Sequence, residues 1–121
     1  MKIFTILVKI RKYLYLYRKM KKMRIPTHPG SVLKEELKVR QITQAKFAEC
    51  IGVSYTMLNE ILNSKRPVTT DFALLVEAAL GINPEMLINM QNRYNMAQAR
   101  MKPSFTDRFN EIQKRAASWL L

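Results

Sequence analysis

The chain has 121 residues, 48% of them apolar, and carries 21 Lys and Arg against nine Asp and Glu, a formal net charge of +12. That length holds one small domain with a modest core, and that charge points to a polyanionic partner or an anionic surface. A single cysteine, Cys50, excludes an intramolecular disulfide and fits a reducing, cytoplasmic setting, while a single histidine, His28, leaves too few ligands for a zinc site.

Residues 1–24 hold nine of the basic residues and none of the acidic ones, so the rest of the chain is only mildly basic. Short apolar runs alternate there with Lys9, Arg11 and Lys12. A bilayer span needs about 20 apolar residues, which this stretch lacks, and no small-residue cleavage site follows an apolar core. Its charges fall all round a helical wheel, which argues against a membrane-surface helix. Three readings stay open: a disordered basic arm, a membrane-surface segment, or an over-long translation start with Met20 or Met23 as the alternatives. The extension is expected to be dispensable for folding, and no membrane partner is expected.

Helical signals begin at "PTHPG". His28 can cap a first helix and Pro29 can take its first position, where the missing N–H costs nothing; Leu33 and Leu37 then share a face. Thr43 is the expected N-cap of a second helix with Phe47, Ala48 and Ile51 on one side. Gly52 ends it in a left-handed conformation. Ser54 caps a third helix whose inner face is Leu58, Ile61 and Leu62, and Pro67 blocks its continuation. A fourth carries Phe72, Leu75, Val76 and Ala79 as an expected buried stripe, with Asp71 at its positive end and Gly81 as its stop. Asn83-Pro84-Glu85 starts a fifth, lasting to about Met101. Ser104 with Asp107 resembles a capping box opening a sixth, in which Phe105, Phe109, Ile112, Ala116 and Trp119 recur every three or four residues. No strand pattern stands out, so the fold class is all-α.

Two short helices joined by a three-residue turn containing glycine form a helix-turn-helix. From Gln44 to Ile61 the spacing fits: Ala48 is small where the helices cross, Gly52 supplies the positive φ, and Val53, Leu58 and Ile61 face the core. Opposite the core lie Thr56, Asn59 and Glu60, with Tyr55 on the flank. Thr56 and Asn59 sit about 160° and 100° from Leu58 on a wheel of 100° per residue. Such a helix enters the major groove with its N-terminal residues at base edges. An ordinary bundle would also use a glycine to end one helix before the next; the joint match of Ala48, Gly52, Leu58 and Ile61 favours DNA.

The stretches "IPTHPGSVLKEEL" and "TQAKFAECIGVSYTMLNEILNSKRPVTTDFALLVEAALGINPEMLINMQNRY" resemble the HigA-type antitoxins of the phage-repressor-like (XRE, lambda-repressor-like) helix-turn-helix superfamily. The resemblance covers residues 25 to about 96 and implies a five-helix DNA-binding domain; the additional C-terminal helix after Pro103 lies outside it. Domain limits are then 1–24 for the basic extension, 25–101 for the helix-turn-helix domain and 102–121 for the C-terminal amphipathic helix. It also implies a homodimer that binds double-stranded operator DNA over its own promoter, and a HigB-type toxin partner that cleaves mRNA. Dimerisation is expected through the helix opening at Pro84, because Met86, Leu87 and Met90 carry more apolar surface than a four-helix core can cover.

The candidate DNA-binding residues are Gln44, Ser54, Tyr55, Thr56, Asn59, Lys65 and Arg66. Gln44 lies in the first turn of its helix, where family members meet a phosphate. Ser54 can touch phosphate while capping. Thr56 suits a base edge or a thymine methyl, and Asn59 a paired contact to adenine; Tyr55 packs or reaches phosphate. Lys65 and Arg66 follow the reading helix and suit phosphates, with Lys46 a weaker candidate. No cofactor and no metal is expected. No Cys–His pair, glycine-rich phosphate loop or carboxylate pair suggests an enzyme. A stand-alone repressor without a toxin and a protein–protein adaptor on the same scaffold are the rival functions.

Overall fold

The computed structural model describes residues 26–119, together with Ile3, Ile6, Leu7, Ile10 and Arg11, whose backbone is helical. Those five positions apart, the reading of residues 1–24 falls outside the described residues. From residue 26 to residue 119 the chain forms six helices and no strand: α1 Pro29–Val39, α2 Gln44–Ile51, α3 Tyr55–Leu62, α4 Thr70–Leu80, α5 Pro84–Met101 and α6 Pro103–Ala117. Residues 26–94 form one compact unit, and residues 95–121 belong with 1–25 to another.

Each helix of the first unit starts on a side chain that accepts an otherwise unpaired N–H. His28 Nδ1 accepts from Gly30, Thr43 Oγ1 from Lys46, Ser54 Oγ from Met57, Thr69 Oγ1 from Phe72 and Asn83 Oδ1 from Met86. Helix α2 ends at Gly52, whose φ of 73° places Val53 N–H on the Ala48 carbonyl. That 6→1 closure needs the left-handed residue before it. Two residues with side chains take the same role elsewhere: Gln41 (φ 59°) closes α1 and Ser64 (φ 63°) closes α3. Ser64 lets Lys65 N–H reach the Glu60 carbonyl at 2.8 Å.

The core gathers Leu33 and Leu37 of α1, Phe47 and Ala48 of α2, Leu58, Ile61 and Leu62 of α3, Val68, then Phe72, Ala73 and Val76 of α4 and Leu87 of α5. Helix α3 packs on both α1 and α2, and α4 packs on α2. Leu33, Leu58 and Ile61 are fully buried, so truncating any one to alanine costs about 2–5 kcal/mol.

Leu75 and Ala79 depart from the expected stripe. Leu75 is 39% exposed and Ala79 is also exposed, and Ala73 is buried instead. Helix α4 is apolar nearly all round, so periodicity alone could not orient it. Leu87 is likewise fully buried; of the three residues expected to overflow the core, Met86 is 42% exposed and Met90 half-buried.

In the second unit, α6 starts two residues earlier than a Ser104 cap requires. Pro103 takes the first helical position behind Lys102, which makes no side-chain capping bond. Ala97 and Ala117 are buried, the Phe105 and Phe109 rings lie 5.9 Å apart, and Phe105, Ile112 and Trp119 are exposed. Among the described residues no helix is long and apolar enough to cross a membrane.

Candidate nucleic-acid interface

Helix α3 is only eight residues long, and its buried residues Leu58, Ile61 and Leu62 lie on one side. Tyr55 and Thr56 are exposed in its first turn, and Asn59 and Glu60 are half-buried in the middle. Ser54 is exposed just before it, with its hydroxyl oxygen occupied as the cap of Met57 N–H. A serine hydroxyl keeps its own hydrogen while it accepts, so the cap still allows it to donate.

Gln44 opens α2 and Asn59 sits mid-α3, yet the two meet: Asn59 Nδ2 donates to Gln44 Oε1 at 2.9 Å. On its other side Asn59 Oδ1 accepts from Asn63 Nδ2 at 3.2 Å, and the same Asn63 nitrogen bonds the Asn59 carbonyl at 2.8 Å. Asn63 Oδ1 in turn accepts from the Lys34 ammonium of α1 at 3.0 Å. A chain of polar groups therefore runs from α2 across α3 to α1. It orients the Asn59 amide, oxygen toward Asn63 and nitrogen toward Gln44, because only that orientation satisfies both neighbours. One N–H and one lone pair of Asn59 remain for a ligand.

Lys34 and Asn63 are additions to the residues expected from sequence. Asn63 had a local signal, since it stands four residues after Asn59 on one helical face. Lys34 had none, being 29 residues from its partner.

Lys65 and Arg66 are exposed just past α3. Arg66 is not a free cation: its Nε donates to Glu60 Oε2 at 2.9 Å. Both side chains are more than a third exposed, so the pair adds at most about 1 kcal/mol to stability and acts mainly on direction. Glu60, a poor neighbour for a phosphate, is turned to that use. Lys46, in the first turn of α2, is exposed.

The buried joint behind this face is His28, 4% exposed. Its Nδ1 accepts from Gly30 N–H, and its ring and that of Tyr94 meet in a T-shaped pair at 4.8 Å and 84°. Burial pushes its pKa below 6.5, while the polar backbone of Arg66 acts the other way.

Residues 33–87 match the helix-turn-helix family. An addiction module antidote protein of the HigA family from Coxiella burnetii has a solved structure 32% identical to this chain. Its TM-score is 0.57, over 61% of this chain and 82% of its own. The chain belongs to the HigA-type helix-turn-helix family.

The Pseudomonas aeruginosa antitoxin HigA, solved with the higBA promoter, matches at 29% identity and a TM-score of 0.58, over 61% of this chain and 82% of that one. Virulence-associated protein I of Dichelobacter nodosus is 34% identical over 73 residues, 60% of this chain and 68% of its own length. The helix-turn-helix match of residues 33–87 falls wholly inside the 26–94 unit, so residues 1–24 and α6 lie outside it. Within the match, Gln44, Ser54, Tyr55, Thr56, Asn59, Lys65 and Arg66 occupy the DNA-binding fold's second helix, its turn, its third helix and the segment after it.

Proposed function

We propose that this HigA-type chain is an antitoxin that binds operator DNA over its own promoter in a sequence-specific way, represses its operon, and neutralises a HigB-type mRNA-cleaving toxin. The observation that carries the reading is the outward face of α3. Thr56 and the oriented Asn59 amide sit there beside Gln44, with Lys34, Lys65 and Arg66 in the adjoining helix and segment. Hydrogen-bonding groups at the centre suit base edges, and cations around them suit phosphates. The solved P. aeruginosa relative with its promoter supports the same partner.

The reading includes a homodimer formed through the start of α5, since one module reads too few base pairs for useful affinity and a two-fold operator matches a two-fold protein. Exposed Met86 on α5 and exposed Leu74 and Leu75 on α4 offer the apolar surface. Light scattering at micromolar concentration should give a dimer. A monomer with and without DNA would remove this part.

Co-expression with the small reading frame beside this gene should restore growth and yield a co-purifying complex, and that complex should shift the upstream DNA in a gel. A neighbouring frame that is toxic but unaffected by this protein would remove the antitoxin reading and leave the repressor one.

A further inference from the structure

Thr56, Asn59 and Asn63 stand at i, i+3 and i+7, on α3 and the residue that ends it, so one outward stripe runs from the reading end of the helix to its last turn. Ending the helix asks nothing of the Asn63 side chain. Its backbone N–H already bonds the Asn59 carbonyl at 3.0 Å, and the left-handed residue that turns the chain away is Ser64. The Asn63 amide is nonetheless held at both ends. Its Nδ2 lies 2.8 Å from the Asn59 carbonyl oxygen and 3.2 Å from Asn59 Oδ1, and its Oδ1 lies 3.0 Å from the Lys34 ammonium.

Which end of that amide faces which neighbour is dictated twice. An ammonium has only hydrogens to offer and a carbonyl only lone pairs, so Lys34 takes the oxygen of Asn63 and the Asn59 carbonyl takes the nitrogen. The second hydrogen of that nitrogen then meets Asn59 Oδ1, which turns the Asn59 nitrogen toward Gln44 Oε1 at 2.9 Å. Donation therefore runs one way, from Lys34 through Asn63 and Asn59 to Gln44. With its oxygen taken, the Gln44 amide has N–H groups left to offer a phosphate. Both hydrogens of Asn63 are committed, and its remaining lone pair offers a phosphate nothing.

We infer that Asn63 is a positioning residue for base reading: by fixing which way round the Asn59 amide faces, it sets where that amide's free N–H and lone pair stand. This rests on the operator-binding reading and deepens it. Turned end for end, the Asn59 amide would offer the same two groups in reverse order, and the donor–acceptor edge of an adenine would no longer match. Asn63 touches no base itself. An Asn59 amide free to turn accepts either order, so loss of Asn63 shows as relaxed preference and not as weaker attachment to the backbone.

The test is the affinity of the full chain for the operator, for operators changed one base pair at a time, and for random-sequence DNA, with folding checked by circular dichroism. Asn63→Ala should weaken operator binding by about three- to tenfold, leave random-sequence binding within about twofold, and leave the salt slope unchanged. It should relax the preference at the base pair that Asn59→Ala relaxes, and at no other. Beside Asn59→Ala it should add almost nothing. Asn63→Asp keeps a partner for Lys34 but has no N–H for Asn59, so it should relax the same base pair. Equal losses on operator and random DNA would make Asn63 a backbone contact, and full additivity with Asn59→Ala would make it independent of the reader. Either overturns the assignment, as does an Asn63→Asp chain with its base preference intact.

Asn63 is exposed, so its truncation opens no cavity in the core. Should the variants still fail to fold, nitrogen-15 relaxation of the unchanged protein decides. The side-chain amides of Asn59 and Asn63 should be as rigid as the helix backbone beside them, and amides that turn freely overturn the assignment. An unchanged chain that binds every duplex alike removes the operator reading, and the same relaxation measurement still tests whether Asn63 holds Asn59.

Discussion

Asn59 Nδ2 donates to Gln44 Oε1 at 2.9 Å, so a residue suited to a base edge and one suited to a phosphate act as a single unit. Gln44→Ala and Asn59→Ala should therefore be non-additive in operator affinity, with a coupling of about 0.5–3 kcal/mol in a double-mutant cycle. A coupling indistinguishable from zero would mean that the bond does not persist on DNA.

Thr56 and Lys65 should separate reading from anchoring. Thr56→Ala should cost about 1–3 kcal/mol on the operator and little on random DNA. Lys65→Gln should weaken both and lower the salt slope by about one unit, and Lys34→Gln should do the same from α1. Equal losses for Thr56→Ala on both duplexes would remove the outer face of α3 as the reader.

Acid should destabilise this fold through His28. Burial holds its pKa below 6.5 in the folded chain, so as the pH falls the unfolded chain takes up that proton first. The stability from neutral His28 is fully present above 6.5, declines as the pH falls below it, and is lost once the pH passes the folded pKa. Protonation also removes the acceptor from Gly30 N–H and places a charge against Tyr94 and the Arg66 segment. Melting temperatures at pH 7.5 and 5.5 should differ more for the unchanged chain than for His28→Asn. An equal drop in both would assign the acid sensitivity elsewhere.

Gln41 closes α1 at φ 59°, where a Cβ is costly. Gln41→Gly should raise stability by about 0.5–1 kcal/mol, relief of that strain exceeding glycine's entropy cost. Thermal unfolding reads this directly. A lower melting temperature would show that the Gln41 side chain contributes more than its backbone angle takes away.

Features set by neighbours in the chain were legible in the sequence. Thr43, Ser54 and Gly52 cap and stop their helices as local rules require, and Leu58, Ile61 and Leu62 face inward on the expected side. Rules failed where two local choices competed. Pro103 and Ser104 both suit a helix start, and the proline took it. In α4, Leu74, Leu75, Ala78 and Ala79 make the outer face largely apolar beside Asp71 and Glu77, so the buried side was set by contact with α2. The Asn59–Gln44 and Lys34–Asn63 bonds join residues 15 and 29 positions apart along the chain, which no periodicity reports.

Gly30 gives position-by-position maps of this protein a particular reading. With the Ile61 carbonyl where a Cβ would lie, the position is closed to every side chain, however small. A saturating library selected for repression would lose every variant at residue 30 and tolerate many at the exposed Glu35 one helical turn on. Such intolerance, at a residue with no side chain to touch DNA, would look like a binding hot spot on a heat map. It would instead mark where two backbones touch, and purified Gly30→Ala should fail in thermal unfolding before any DNA is added.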